Sequence, residues 1–428
     1  MSETRVVETA VEPVAGPQRQ GTATRLLRAT EIDTRLLGML VALAAIWVLF
    51  NIFSGGTFLT ARNLWNLSVQ TAVVAIMATG MVLVIVSRNI DLSVGSMLGF
   101  IGMAVAILQA EILPDLLGFG HWAIWIIAVI TALLMGALIG AFQGAIVAYI
   151  GVPSFIVTLG GLLIWRGLAW SLASGRTIAP MDGTFQLIGG GARGSLGAQL
   201  SWVVGILGCL GVVAVLMNGR RQRRRFEFPL RPMWAEIFLG VVGCGVILGS
   251  IFVLNSYFKT PALAEGRTDV AFGLAYPVLI TLGVALVMTF IANRTKFGRY
   301  VYAIGGNPEA AELGGINTKW MIVRTFMVMG ILVGIAAAVS VARLNAATSG
   351  LGTLAELYVI AAAVIGGTSF AGGIGTIPGA VLGALVMQSL QSGMVLMGIE
   401  AAYQDVIIGI VLVIAVGLDS FYRRRVTA

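Results

Sequence analysis

Residues 295–320 read TKFGRYVYAIGGNPEAAELGGINTKW and stand between the apolar runs FGLAYPVLITLGVALVMTFIA at 272–292 and MIVRTFMVMGILVGIAAAVSVA at 321–342. Two runs of about 20 apolar residues around a short polar stretch are the pattern of two membrane-crossing helices and their connection. Within the connection Asn307 can cap a helix, Pro308 suits the first helical position, Glu309 suits the positive N-terminal end, and Gly314 and Gly315 supply a stop. The spacing predicts a capped helix of under two turns. Such a helix is marginal in water, because nucleation is costly and most helical stability comes from packing an apolar face. Its face, Ala310 with Leu313, therefore needs a partner. On local grounds that partner is either the chain's own membrane domain or another protein.

Of the 428 residues, 58% are hydrophobic and 11% charged, whereas a soluble domain carries about 25% charged residues. The chain is therefore integral to a membrane. Runs of about 20 residues make its spans helices, since barrel strands would alternate over about 10. The 56 glycines suit helices that pack closely through small residues. A net charge of +8 would suggest nucleic acid in a soluble protein, but here the arginines cluster between apolar runs, where they set topology; no nucleic-acid partner is expected. Cys209 and Cys244 fall inside apolar runs, and the single histidine, His121, has no carboxylates at ligand spacing, so neither a redox compartment nor a metal site follows.

About twelve apolar runs can be placed, at 36–53, 65–87, 92–110, 122–149, 155–173, 202–217, 236–257, 272–292, 321–342, 354–367, 376–397 and 403–421. They predict an all-α polytopic bundle of about 10–12 transmembrane helices over 35–422, between a disordered, basic tail at 1–34 and a short basic tail at 423–428. Arg25, Arg28 and Arg35 precede the first run and predict a cytoplasmic N-terminus. Parity then puts three basic segments in the cytoplasm: 219–233 with Arg220, Arg221, Arg223, Arg224, Arg225 and Arg231, 293–320 with Arg294, Lys296, Arg299 and Lys319, and the tail with Arg423, Arg424 and Arg425. The Arg220 to Arg225 cluster reads either as a topology determinant or as a site for anionic membrane lipid. Residues 354–367 are few for a span and 88–91 leave almost no loop, so a re-entrant or broken helix at either place would change the count.

No catalytic constellation is visible. A phosphate-binding loop needs Gly-Lys followed by Ser or Thr, and the three lysines, Lys259, Lys296 and Lys319, follow Phe258, Thr295 and Thr318. The serines and the lone histidine form no nucleophile–base pattern. Asp91, Glu356 and Asp405 fall near span ends, where caps and structural pairs compete with a proton site, and Arg166 lies within a span. Uncharged polar residues recur inside the runs, among them Ser68, Gln143 and Ser392, and either join helices or pass a neutral polar cargo. The candidate pathway comprises Asn66, Gln70, Asn89, Asp91, Ser93, Ser96, Gln388 and Gln391. Two glycine-rich regions, IDLSVGSMLG at 90–99 and IGGTSFAGGIGTIPGAVLG at 365–383, interrupt apolar segments in both halves, which points to the pathway at a repeat interface.

Three stretches carry a resemblance: FGRYVYAIGGNPEAAELGGIN at 297–317, NIDLSVGSMLG from Asn89 and AAAVIGGTSFAGGIGTIPGAVLGALV from Ala361. Together they resemble the permeases of bacterial monosaccharide ABC importers, the ribose, galactose and xylose group, and the similarity runs from about residue 36 to the C-terminus. The arginine cluster followed by PMWAEIFLGVVGCGVILGSIFVLNSY from Pro232, and LNAATSGLGTLAELYVIAAAVIGG from Leu344, look like the xylose branch. The resemblance implies a type II importer permease, a non-enzymatic homodimer in the bacterial inner membrane. It implies a cytoplasmic ABC ATPase that holds ATP and Mg, an extracytoplasmic sugar-binding protein, and no cofactor in this chain. The short helix would be the coupling element, with Gly298, Arg299, Ala303, Gly305, Asn307, Pro308, Glu309, Ala310, Ala311, Leu313, Gly314 and Ile316 at the ATPase contact. A proton-coupled secondary carrier, or an ATP-driven permease for another small polar solute, are the alternatives.

Overall fold

A computed structural model describes residues 34–191, 193–260 and 270–427. The expected N-terminal tail, except Thr34, and residues 261–269 lie outside the described residues. The chain forms α1 (Thr34–Phe53), α2 (Ala61–Val86), α3 (Val94–Ile107, continued by a π turn into Leu113–Leu117), α4 (Ala123–Ala145, ending in a π turn at Ile146–Ile150) and α5 (Ser154–Ala173). There follow α6 (Gly183–Ile188), α7 (Gly197–Arg225), α8 (Met233–Asn255), α9 (Tyr276–Arg294), α10 (Lys296–Gly306) and α11 (Pro308–Leu313). Last come α12 (Thr318–Leu344), α13 (Ala355–Ile365), α14 (Ile377–Leu396) and α15 (Ala401–Thr427). Among the described residues 10 helices are long and apolar enough to cross a membrane, while α13 and the apolar part of α15 are shorter. The polytopic helical bundle expected from the apolar runs is the fold observed.

α2 and α12 form the axis: 94% and 78% of their apolar windows are buried inside the protein, as befits helices that are apolar on every side. They pack on each other and run in opposite directions. α3 and α4 pack on α12, and α13 and α14 pack on α2 in the same way. Each half adds one more mate, α5 against α3 and α15 against α13. Exchanging α2–α5 for α12–α15 therefore reproduces the packing with the chain direction reversed, so the two halves are inverted repeats.

Each repeat has one break. A long helix ends, irregular backbone (87–93 or 345–354) turns back into the bundle, and a short helix (α3 or α13) starts inside it. Non-helical backbone is tolerated at such depth only where protein encloses it. Here the breaks enclose each other, for Gly95 at the start of α3 lies against Gly352 and Glu356. Asp91 satisfies the first break by accepting from the Ser93 amide at 2.9 Å and hydroxyl at 2.6 Å. The glycine-rich region 365–383 is thus not the mate of 90–99; that mate is the less conspicuous 345–354.

The closest helix pair is α4 with α12. Gly136, Gly140 and Gly144 repeat at every fourth position of α4, and a Cβ at Gly136 would overlap the Gly330 carbonyl of α12. Small residues let backbones meet in this way in membranes. Gly330→Val is expected to wedge α4 from α12 and lower the melting temperature of the detergent-purified protein. Overpacking costs about 1–3 kcal/mol where side chains can yield, and here the obstacle is the Gly136 carbonyl. An unchanged melting curve would show that the helices can slide.

The two ends of the bundle are distinct. One is tied by isolated bridges, Ile178 with Ala347, Ser195 with Ala275 and Gly197 with Gly273. At the other, the Gly373 amide donates to the Val86 carbonyl at 3.0 Å. Following the helices between these ends brings 219–233, 294–320 and the C-terminal end of α15 to one end of the bundle. The α7–α8 hairpin lies at the periphery and leans on α2 through α8. Within the basic cluster Arg220 pairs with Glu236 at 2.6 Å, which gives that arginine a structural role between the two helices.

Candidate functional site

α10 is amphipathic, and its 3.6-residue period buries Gly298, Val301, Ile304 and Gly305 while Arg299 and Ala303 face outward. Thr295 starts it by accepting from the Gly298 amide at 3.2 Å. Asn307 then breaks the path with extended backbone and caps α11, its Oδ1 accepting from the Ala310 amide at 3.0 Å. The Gly314 amide closes on the Ala310 carbonyl at 2.9 Å, and Gly315, at φ 82°, turns the chain away. The capped helix expected from the sequence is therefore six residues long.

Its faces divide cleanly. Ala311 is buried and Ile316 is half-buried against the core, so the helix stands on these two residues. Glu309, Ala310 and Gly314 are exposed, Pro308 is partly covered, and Leu313 is 91% exposed, the highest value for any large apolar side chain among the described residues. Leu313 withholds about 1.5–3 kcal/mol of burial free energy that a partner would release. Asn307→Ala is expected to destabilise α11 by about 1 kcal/mol, seen as faster hydrogen exchange at the Ala310 and Ala311 amides with the membrane helices unaffected.

α10, which carries α11 at its end, is clamped to both repeats. Arg88, just past the end of α2, donates through Nε to the Gly305 carbonyl and through Nη2 to the Gly306 carbonyl, each at 2.8 Å. The Tyr302 hydroxyl donates to the Gly375 carbonyl at 2.6 Å, and burial pushes the Tyr302 phenol up, so it remains a donor at neutral pH. A Cβ on Gly305 would overlap the Val86 carbonyl, and the Gly373 amide would lie 2.5 Å from it. The end of α2 and the 366–376 loop thus meet at the base of α11. Neither Arg88 nor Tyr302 stood out in the sequence as a site residue. The only signal was one arginine at the end of a long apolar run, and its role depends on contacts more than 200 positions away.

The candidate pathway residues fall into two groups. Asn89, Asp91 and Ser93 in the first break and Ser96 in the first turn of α3 gather together, joined there by Gln143 of α4, whose Oε1 is 3.1 Å from the Ser93 hydroxyl. Asn89 donates to the Ser87 carbonyl and Ser96 to the Ser93 carbonyl, so these side chains hold the irregular backbone together. Asn66 and Gln70 lie half-buried on α2, and Gln388 donates to Gln391 at 2.8 Å on α14, which packs on α2. Among the described residues no group of three His, Cys, Asp or Glu could hold a metal ion.

Comparison with known proteins places this architecture. Residues 63–416 match the family described as branched-chain amino acid transport system / permease component. The xylose transport system permease protein of Escherichia coli (strain K12) is 38% identical over 92% of this chain and 94% of its own. Its counterpart in Haemophilus influenzae is 35% identical over 94% of this chain and 100% of its own. The ribose import permease protein of Escherichia coli (strain K12) is 32% identical over 90% of this chain and 92% of its own. No solved structure matches the chain. These relatives bear out the resemblance carried by the three motifs, and they are transport permeases, not enzymes. With ten helices among the described residues long and apolar enough to cross a membrane and a match over most of its length, the chain belongs to this family of membrane permease components.

Proposed function

We propose that the chain is the permease of a bacterial ATP-driven monosaccharide importer whose cargo is a pentose, D-xylose; the names of its most similar relatives support the sugar. It lies in the inner membrane with both termini in the cytoplasm, because the basic segments at 219–233 and 294–320 share one end of the bundle and basic loops are retained inside. Two copies enclose the pathway. A separate cytoplasmic ABC ATPase binds ATP and Mg, and an extracytoplasmic binding protein delivers the sugar. No bond in the sugar is made or broken by this chain.

The observation that carries the coupling role is the exposure of Leu313 on a capped helix braced from below. α11 docks with Leu313 and Ala310 in a groove of the ATPase. Closure of the ATPase pushes on α11, and Arg88 and Tyr302 pass the displacement to the inner ends of both repeats, which rock between outward-open and inward-open arrangements. Purification of the solubilised permease with its bound subunits, followed by sugar binding to the accompanying binding protein, tests this. The expected result is an ABC ATPase and a binding protein that takes D-xylose. Another solute on the binding protein would overturn the cargo, and uptake by the permease alone, collapsing with an uncoupler, would overturn the ATP drive.

A further inference from the structure

Two ionisable side chains that the coupling machinery does not use stand where the two breaks meet. Arg166 is half-buried on α5, a helix with no other charged residue. Its Nη1 donates to the Leu351 carbonyl at 2.8 Å and to the Ser349 carbonyl at 3.3 Å, both in the second break. Both bonds come from one nitrogen, which leaves the Nε and Nη2 donors available. Glu356, in the first turn of α13, is 7% exposed, and its Oε2 has no hydrogen-bond partner. A buried carboxylate oxygen without a donor is costly, and an intramembrane charge is retained where it contacts something that passes.

The separation of the pair is informative. Both groups rest on one glycine face of α3, Glu356 Oε2 against Gly95 and Arg166 Nη1 against Gly99. Those glycines are one helical turn apart, about 6 Å along the axis. Carboxylate and guanidinium therefore face the same strip without forming a direct ion pair, although their charges interact. A hydroxyl that donates to a carboxylate and accepts from a guanidinium spans about 5–6 Å between them. The spacing of the two contact points on α3 is of the length that one such bridge spans, and Arg166 itself is half-exposed while Glu356 is enclosed.

We propose that Glu356 and Arg166 form a hydroxyl-binding station for the transported sugar: one hydroxyl donates to the free Oε2 and accepts from the guanidinium where the two broken helices meet. The station rests on the sugar-permease reading above. Its residues come from α5 and α13, so it draws on both inverted repeats, and relative movement of the repeats would open or close it. The side chains suit a neutral polyol, because the two charges offset each other and each offers hydrogen bonds of only one polarity.

The test uses the complete importer, with ATPase and binding protein, in proteoliposomes at saturating binding protein. Maximal ATP-driven uptake is measured for the pentose and for each deoxy analogue lacking one hydroxyl. Glu356→Met removes the acceptor with little change in volume, and Arg166→Gln probes the same bridge from the other side should the first variant fail to assemble. The expected result is a loss of about 10- to 100-fold in uptake of the full sugar, as for a hydrogen bond to a charged group, with ATPase association retained. One deoxy analogue should lose about as much in the wild type yet almost nothing further in the variant. Wild-type rates in both variants, or the same fractional loss for every analogue, as a bridging water would give, would overturn the station while leaving the importer reading intact. Failure of the wild-type importer to move any sugar would overturn both.

Discussion

Leu313→Asp is expected to abolish sugar uptake while the permease still inserts, folds and survives purification. Leu313 is 91% exposed and contributes nothing to the core, so its replacement leaves the permease as stable as before. In a docked complex the same side chain would be buried. Burying it contributes about 1.5–3 kcal/mol, and forcing an unpaired carboxylate into an apolar groove costs several more. A fall of at least 100-fold in ATPase affinity follows. The measurement is co-purification of the ATPase with wild type and variant, alongside uptake and a melting curve of the isolated permease. Normal ATPase association and uptake in the variant would remove α11 as the coupling element. Replacing Pro308 and Glu309 together by glycine, which unravels the first turn without touching Leu313, should reproduce the uptake defect.

Gly305→Val is expected to damage the junction from within. Any Cβ at this position overlaps the Val86 carbonyl, and the obstacle is backbone at the end of the most enclosed helix, so no rotamer change relieves it. α10 must move away, which pulls the Gly305 and Gly306 carbonyls off Arg88 and strains the Tyr302 bond to Gly375. Transport should fall by more than 10-fold even in protein that still binds the ATPase, because the displacement of α11 no longer reaches α2 or the 366–376 loop. ATP hydrolysis without matching uptake in proteoliposomes is the signature. Tightly coupled hydrolysis and uptake in the variant would show that the signal travels by another route. The two variants separate docking from transmission, since Leu313→Asp loses the ATPase and Gly305→Val keeps it.

Much of this site was legible in the sequence for a local reason. A cap, a proline at the first turn, an acidic residue beside it and a double glycine act within one or two turns, so Asn307 to Gly315 could be read without knowing the fold. The division of that helix into a braced side and a free side could not. Ala310 and Ala311 are adjacent and chemically identical, and only the packing of α11 against α10 and α12 decides that Ala311 is buried and Ala310 exposed. The pathway residues behave similarly. Ser93 and Gln143 are 50 positions apart yet meet in the first break, whereas Gln388 and Gln391 satisfy each other on one helix.

The amino-acid order by itself determined that the chain crosses a membrane many times as helices, that its arginines cluster between the apolar runs, and where a short capped helix interrupts the spans. Hydropathy, charge placement and capping are properties of neighbouring residues. Tertiary structure alone decided that the halves are inverted repeats, that 345–354 and not 365–383 is the second break, and that Arg88, Arg166 and Glu356 stand at the junctions. The reason is physical: a break in a membrane helix is stable only if another segment covers its backbone, and the covering segment lies hundreds of positions away. Glycines at 95, 99 and 305 look alike in the sequence. What presses against each of them is the Glu356 carboxylate at Gly95, the Leu351 carbonyl with the Arg166 guanidinium behind it at Gly99, and the Val86 carbonyl at Gly305, according to which segment the fold brings there.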